Sequence, residues 1–199
     1  MTQATRPGAR QLLPRAERRA AILSAAASAF VHKGFSATSM DDVAAEAGIT
    51  KLIVYRHFDS KESLYEAVLE QVSARLAEEF VAGMAADPTG RGVGVKTLMT
   101  VAREDPDGFV LLWRHAAREP QFADYAERFR EQSVDLARQL LDRTDVPGDR
   151  RLRRWQAELI MSFLVDAVVH WLEEGSPKRD EEMMRLTTRS MVAMVRAWA

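Results

Sequence analysis

Four side chains within residues 51–56 could read the edges of DNA bases. Lys51 and Arg56 are cations that can donate to O6 and N7 of guanine, while the apolar Leu52 and Ile53 could contact thymine methyl groups. For each cation, a contact with phosphate alone is the competing interpretation. All four must lie on the outward face of a helix for this chemistry to occur.

Hydroxyl, ring and ammonium groups on both sides of this segment could hold DNA phosphates. We expect such contacts from Thr38, Ser39, Thr50, Tyr55, His57 and Lys61. Thr38 and Ser39 precede a helix, whose first N–H groups also face an anion. Lys61 lies in the first turn of a later helix, where a cation opposes the macrodipole, so an outside anion would explain it. A packed Tyr55 and a surface His57 are the alternatives.

A helix, a glycine turn and a second helix are predicted to position these groups. Apolar residues recur at helical spacing from Met40 to Ala47, after two candidate N-caps and before Gly48, which suits a left-handed turn. The second helix would run roughly from Thr50 to Phe58, with Val54 and Phe58 facing the core. This pattern is typical of a helix-turn-helix, whose second helix enters the major groove. A plain helical hairpin is the alternative.

The sequence around this motif resembles the TetR-type transcriptional regulators. The similarity covers roughly residues 18–69 and rests on FVHKGF at 30–35, AGI at 47–49 and YRHFDSKESLY at 55–65. It implies that the motif binds double-stranded DNA and that the predicted phosphate-binding positions around it contact the backbone. It also implies that the rest of the chain binds a ligand and dimerises.

Two residues depart from the pattern of that family. A small residue usually stands where this chain has Leu52, and Ser or Thr often stands where it has Ile53. Two large apolar groups on the groove-facing side predict an operator read with fewer hydrogen bonds at these positions. Alternatively, Leu52 packs inward and does not read DNA.

Composition and charge fit a small DNA-binding part attached to a larger body. The 199 residues are 47% hydrophobic and 29% charged, and the absence of cysteine excludes disulfides and thiolate metal sites. No apolar run approaches the roughly 18 residues of a membrane span, so we expect a soluble, cytoplasmic protein. Residues 1–60 carry a net charge of +3 and the remainder −4, which suits a basic head on an acidic body.

The chain is predicted to be all-α, with about nine helices in two domains. We expect a disordered basic tail at 1–13, a three-helix DNA-binding domain at 14–60 (the head) and a ligand-binding and dimerisation domain at 61–199 (the body). The tail could instead reach an adjacent groove. A helix from Lys61 to about Met84 would link head and body, and another is predicted from Gly108 to about Arg118.

Aromatic residues of the body could line a pocket for a small-molecule effector. We expect Trp113, Trp155 and Phe163 there, with ordinary core packing as the alternative. Asp166 and His170 lie four residues apart on one predicted helix, a spacing at which both could bind the same metal ion. A surface pair or dimer contact is the favoured interpretation, and neither a metal nor a cofactor is predicted.

The last two predicted helices, at 149–174 and 179–198, carry more apolar residues than one side needs, which predicts a homodimer through these helices. Two recognition helices about 34–36 Å apart would then match a palindromic operator. We therefore expect a repressor that is released when an effector makes the linking helix swing the heads. The alternative is a helical adaptor or ligand-binding protein without sequence-specific DNA binding. An enzyme is not expected, because no titratable groups converge.

Overall fold

The computed structural model describes residues 14–199, so the tail predicted at 1–13 lies outside it. The described chain is all-α and contains no strand, as predicted. Its helices are α1 (Arg15–Lys33), α2 (Met40–Glu46), α3 (Lys51–Tyr55), α4 (Lys61–Ala86), α5 (Val93–Glu104), α6 (Pro106–Val110), α7 (Ala123–Leu141), α8 (Arg150–Glu174) and α9 (Asp180–Arg196). None of these helices is both long and apolar enough to cross a membrane.

Local sequence signals explain where α1 ends and where α2 begins and ends. Gly34 and Gly48 follow these helices with φ of 79° and 64°, a region that only a residue without Cβ adopts at little cost. Ser39 caps α2 in a reciprocal capping box with Asp42. Helix α1 packs against both α2 and α4, so the helix-turn-helix is built on a stable third helix.

The second helix of the motif is shorter than predicted. Helix α3 ends at Tyr55 rather than near Phe58. The turn after it is tightened, because the His57 N–H donates to the Val54 carbonyl three residues earlier, at 2.9 Å. The backbone therefore continues in a helical turn through Phe58, and the side chains of Val54 and Phe58 both face the core as predicted.

The helix predicted at 108–118 is not a regular α-helix. After α6 the chain forms a π-helix at Leu111–His115 and a 3₁₀-helix at Ala116–Arg118. The Ala116 N–H donates to the Leu111 carbonyl, five residues back. This wide turn lets Leu111, Leu112 and Ala116 all reach the core, an arrangement that the regular helical period did not predict.

One continuous core runs through head and body. Phe30 and Phe35 of the head meet Tyr65 of α4, and Phe122, just before α7, stacks on Tyr65 with ring centroids 4.1 Å apart. Helix α1 also packs against α6 and the π-helix. The body therefore contacts the head directly, and not only through α4. The division at residue 60 stays a prediction.

Candidate nucleic-acid interface

Helix α3 presents a mixed cationic and apolar surface. Leu52 is 63% exposed, and Lys51, Tyr55 and Arg56 are exposed beside it. The alternative in which Leu52 packs inward is therefore wrong. Ile53 differs from the expectation, because it is partly buried against the core and offers the groove only part of its side chain.

The Lys51 ammonium is held in place by α2. Its Nζ lies 2.6 Å from Oδ2 of Asp41, which raises the Lys51 pKa, and 5.9 Å from the centroid of the Tyr55 ring. Both partners of this ion pair are largely exposed, so it contributes little to stability. A base or phosphate could therefore replace Asp41 at small cost in free energy. Before DNA binds, Asp41 keeps the Lys51 ammonium oriented at the protein surface.

Thr38 cannot make the phosphate contact expected of it in this conformation. The residue is 2% exposed, and its hydroxyl donates to the carbonyl oxygens of Gly34 at 2.7 Å and Ala29 at 3.2 Å. Thr38 is thus a structural residue that ties the loop before α2 to the end of α1. The sequence pattern missed this, because a hydroxyl before a helix serves a cap or a loop equally well.

Ser39 lies at an N-terminus that already holds a carboxylate. Its N–H and hydroxyl both donate to Oδ2 of Asp42, at 2.8 and 2.6 Å. Lys33 donates to the other carboxylate oxygen at 2.6 Å, and these hydrogen bonds hold the Asp42 pKa well below its usual range. A phosphate contact at Ser39 would have to exchange with Asp42.

Lys61 is explained by a contact inside the protein. Its ammonium donates to the Phe35 carbonyl at 2.8 Å and lies 4.2 Å from the centroid of the Phe35 ring. An outside anion is therefore not needed to account for a cation at this helix start. An ammonium has three donors, so Lys61 can still offer N–H groups to a phosphate.

Thr50 and His57 flank α3 with groups available to DNA. Thr50 occupies the N-cap position of α3, but its hydroxyl makes no capping hydrogen bond. Burial lowers the pKa of the half-buried His57, and the charges of Arg15, Arg18 and Arg19 lower it further. Burial and the neighbouring positive charges therefore both favour the neutral form of the His57 imidazole. The three arginines at the start of α1 are a feature of this surface that the motif-based prediction missed.

The expected effector pocket does not bring its three residues together. Trp155 is 54% exposed and packs on Trp198, so its assignment to a pocket is wrong. Trp113 packs between Phe109 and Phe129, and its buried indole Nε1 has no hydrogen-bond partner among residues 14–199. Phe163 is partly buried against the core.

Two open clefts lie elsewhere on the described surface. One, of about 270 Å³, lies between the π-helix region and α8, and the other, of about 380 Å³, between α1 and α4. Neither is lined by Trp113 or Phe163. Asp166 forms an ion pair with Arg114 at 2.7 Å, while Nε2 of His170 lies 3.7 Å from Glu174, so these two residues face different partners.

Comparison with known proteins gives the same family at the level of sequence. A family model described as "Bacterial regulatory proteins, tetR family" matches residues 22–68. The HTH-type transcriptional activator FasR of Mycolicibacterium smegmatis is 30% identical over 169 residues, which cover 83% of this chain and 77% of FasR. The repressor KstR2 of the same organism is 27% identical, over 84% of this chain and 85% of KstR2.

Solved structures share the fold. A TetR-like regulator from Rhodococcus sp. RHA1 has a TM-score of 0.71 at 22% identity, over 91% of this chain and 99% of its own. AibR, solved in complex with isovaleryl coenzyme A and operator DNA, has a TM-score of 0.68 at 19% identity, over 86% of this chain and 96% of its own. The family model and the FasR match show that the chain belongs to the TetR family, and the solved structures share its fold. The chain is therefore a DNA-binding transcriptional regulator and not an enzyme.

Proposed function

We propose that this protein is a homodimeric repressor that binds a palindromic operator through its helix-turn-helix and is released by a small-molecule effector. The observation that carries the proposal is the geometry of α3. Val54 and Phe58 fix one side of the recognition segment in the core, while the side chains of Lys51, Leu52 and Arg56 are exposed to solvent. A helix that presents cationic and apolar groups to solvent suits reading of the major groove.

The side-chain contacts divide the DNA-binding residues into two groups. We propose that Lys51, Leu52 and Arg56 contact base edges, with a smaller contribution from Ile53 because it is partly buried. For the backbone we propose Thr50, Tyr55, His57 and Lys61, and Ser39 in exchange with Asp42. Thr38 is removed from this group.

The exposed face of the last two helices supports a homodimer. Leu152, Trp155 and Leu159 follow one another at helical spacing on α8 and are all exposed, as is Leu186 on α9. Large exposed apolar side chains on one face of a helix, as on α8, favour association. An isologous pairing of α8 and α9 with a second copy would bury them and place two recognition helices on one side of the DNA.

Effector control is supported by relatives and by the contact between body and head. AibR was solved with both isovaleryl coenzyme A and operator DNA, so one protein of this fold accommodates both kinds of ligand. Here α6 and the π-helix pack directly on α1. A ligand that binds the body better in one conformer would therefore shift the heads through these contacts as well as through α4.

Substitutions on α3 test the DNA-binding surface. Arg56→Ala is expected to weaken binding to an operator selected from random DNA by about 5- to 150-fold and to relax preference at one guanine, because alanine cannot make the bidentate pair with O6 and N7. Tyr55→Phe removes one hydroxyl, so we expect a smaller decrease in affinity that is similar for all sequences. Mobility shift over a range of salt concentrations measures both. Arg91→Ala, an exposed arginine beyond the far end of α4, is the control. Unchanged affinity and salt dependence in both α3 variants would contradict the assignment.

Deletion of the gene tests the direction of regulation. KstR2 is named a repressor and FasR an activator, so the family includes both modes. We expect transcription from a reporter behind the selected operator to rise in the deletion strain and to fall again on complementation. A fall on deletion would instead identify an activator.

A further inference from the structure

Two arginines of α1 lie beside the recognition segment. Helix α1 begins with the sequence RAERR, in which Arg15 and Arg19 are exposed and Arg18 is half-buried. Within residues 14–199, neither Arg15 nor Arg19 forms an ion pair. Glu70 lines the same cleft as Arg19, between α1 and α4, yet does not pair with it. These two charges are therefore available to an external anion.

Arg19 is positioned against the end of the recognition segment. Its guanidinium carbon lies 5.3 Å from the centroid of the Phe58 ring. Phe58 is buried and its N–H donates to the Val54 carbonyl at 3.0 Å, so the ring is a fixed support. Stacking on an aromatic ring orients the planar guanidinium while leaving its N–H groups at the edge free to donate.

The positive charges of these arginines act on His57, at the end of the recognition segment. Arg15, Arg18 and Arg19 each lower the pKa of His57, which directly follows the exposed Arg56. Arg15 lies four residues before Arg19, on the same side of α1, and Arg19 stacks on Phe58. The start of α1 and the end of the recognition segment therefore form one positive surface. Cations in the first turns of a helix oppose its macrodipole, so the intramolecular electrostatics of α1 do not account for them. Glu17 is the only acidic residue in the first turn of α1.

We propose that Arg15 and Arg19 bind phosphates of the DNA backbone beside the groove that α3 enters, as a second anchoring point for each head. The partner is the phosphodiester backbone rather than a base, because the arginines lie on α1 and not on the groove-facing helix. This inference rests on the proposed DNA binding. It adds contacts that fix the orientation of the head without reading sequence.

Salt dependence of binding tests this anchoring point. The probe is a mixed-sequence duplex of about 30 base pairs, long enough for two half-sites one helical turn apart. For each phosphate that the protein no longer neutralises, the slope of log K against log salt concentration should become shallower by about 0.9. Arg15→Ala and Arg19→Ala are each expected to change the slope by this amount for every head that is bound. The double variant should change the slope by the sum of the two. Preference among operator sequences should not change.

A charge-matched variant separates local binding from general attraction. Arg91→Ala with Lys96→Ala removes the same formal charge from exposed positions beyond the far end of α4, and its slope should match that of the unaltered protein. Circular dichroism checks folding, and Arg15→Ala alone decides the matter if removal of the Arg19 side chain from Phe58 destabilises the head.

Unchanged slopes in Arg15→Ala and Arg19→Ala, or an equal change in the charge-matched variant, would overturn the anchoring point. If Arg56→Ala still weakens operator binding in that case, the proposed function stands. Failure of the unaltered protein to bind any duplex at low salt would overturn both proposals.

Discussion

Leu159→Glu is expected to convert the protein from a dimer into a monomer and to weaken binding to a palindromic operator by about 10²- to 10⁴-fold. Leu159 lies one helical turn after Trp155 on the exposed apolar face of α8. In the proposed interface a glutamate there would be an unpaired charge removed from water, which strongly disfavours association. A monomer then lacks the gain in effective concentration that comes from binding two half-sites at once.

The mass in solution and the affinity for half-sites separate the two effects of this substitution. Sedimentation equilibrium should give the mass of one 22.4 kDa chain, half that of the unaltered protein. Affinity for a single half-site at low salt should change little, because α3 is untouched. Val81→Glu places the same charge at an exposed apolar position on α4 and should leave the dimer intact. A Leu159→Glu protein that is still dimeric would place the interface elsewhere.

Phe122→Ala is expected to reduce the free energy of unfolding by about 3–5 kcal/mol, which corresponds to roughly 10 °C in melting temperature for a chain of this length. Phe122 is buried, stacks on Tyr65 and meets Phe35 edge-on at 5.1 Å. Its removal leaves a cavity at the point where the body enters the aromatic core of the head. We therefore expect the head to lose stability more than the body.

Two spectroscopic probes test whether the head is uncoupled. All four tryptophans, at positions 113, 155, 171 and 198, lie in the body, so their fluorescence reports on the body alone, whereas circular dichroism reports on every helix. The transitions should coincide in the unaltered protein at fixed concentration. In Phe122→Ala the circular dichroism signal should begin to fall at a lower temperature than the fluorescence.

A second phenylalanine provides the matched control for this experiment. Phe129 packs on Trp113 within the body, with ring centroids 5.2 Å apart, so Phe129→Ala should lower stability while the two transitions stay coincident. If both transitions of Phe122→Ala coincide and keep the midpoint temperature of the unaltered protein, this ring does not couple the body to the head. Effector control would then have to act through α4 and the other α1 contacts.

Local signals were sufficient to predict helix α2 and the glycine turn that follows it. The spacing of Met40, Val43 and Ala44, the cap at Ser39 and the turn at Gly48 depend on residues fewer than about ten positions apart, so they can be read along the chain. The specific YRHFDSK run identified the family, which the FasR match bears out.

The sequence was less informative about which polar groups are free. Thr38, Lys61 and Trp155 were assigned by type and position. The structure commits the Thr38 hydroxyl to the end of α1 and the Lys61 ammonium to Phe35, 26 residues away, while it leaves Trp155 on the surface. The π-helix was also missed, because its wide turn satisfies core packing rather than a local preference.

The sequence by itself therefore determined the all-α class, the helix-turn-helix and the family, because caps, glycine turns and apolar spacing act over short distances. Only the tertiary structure decided that Leu52 is exposed, that Thr38 is structural and that Arg19 stacks on Phe58. These outcomes depend on which distant residues meet when α1, α3 and α4 pack. Burial and partner choice are properties of that packing and not of any one segment.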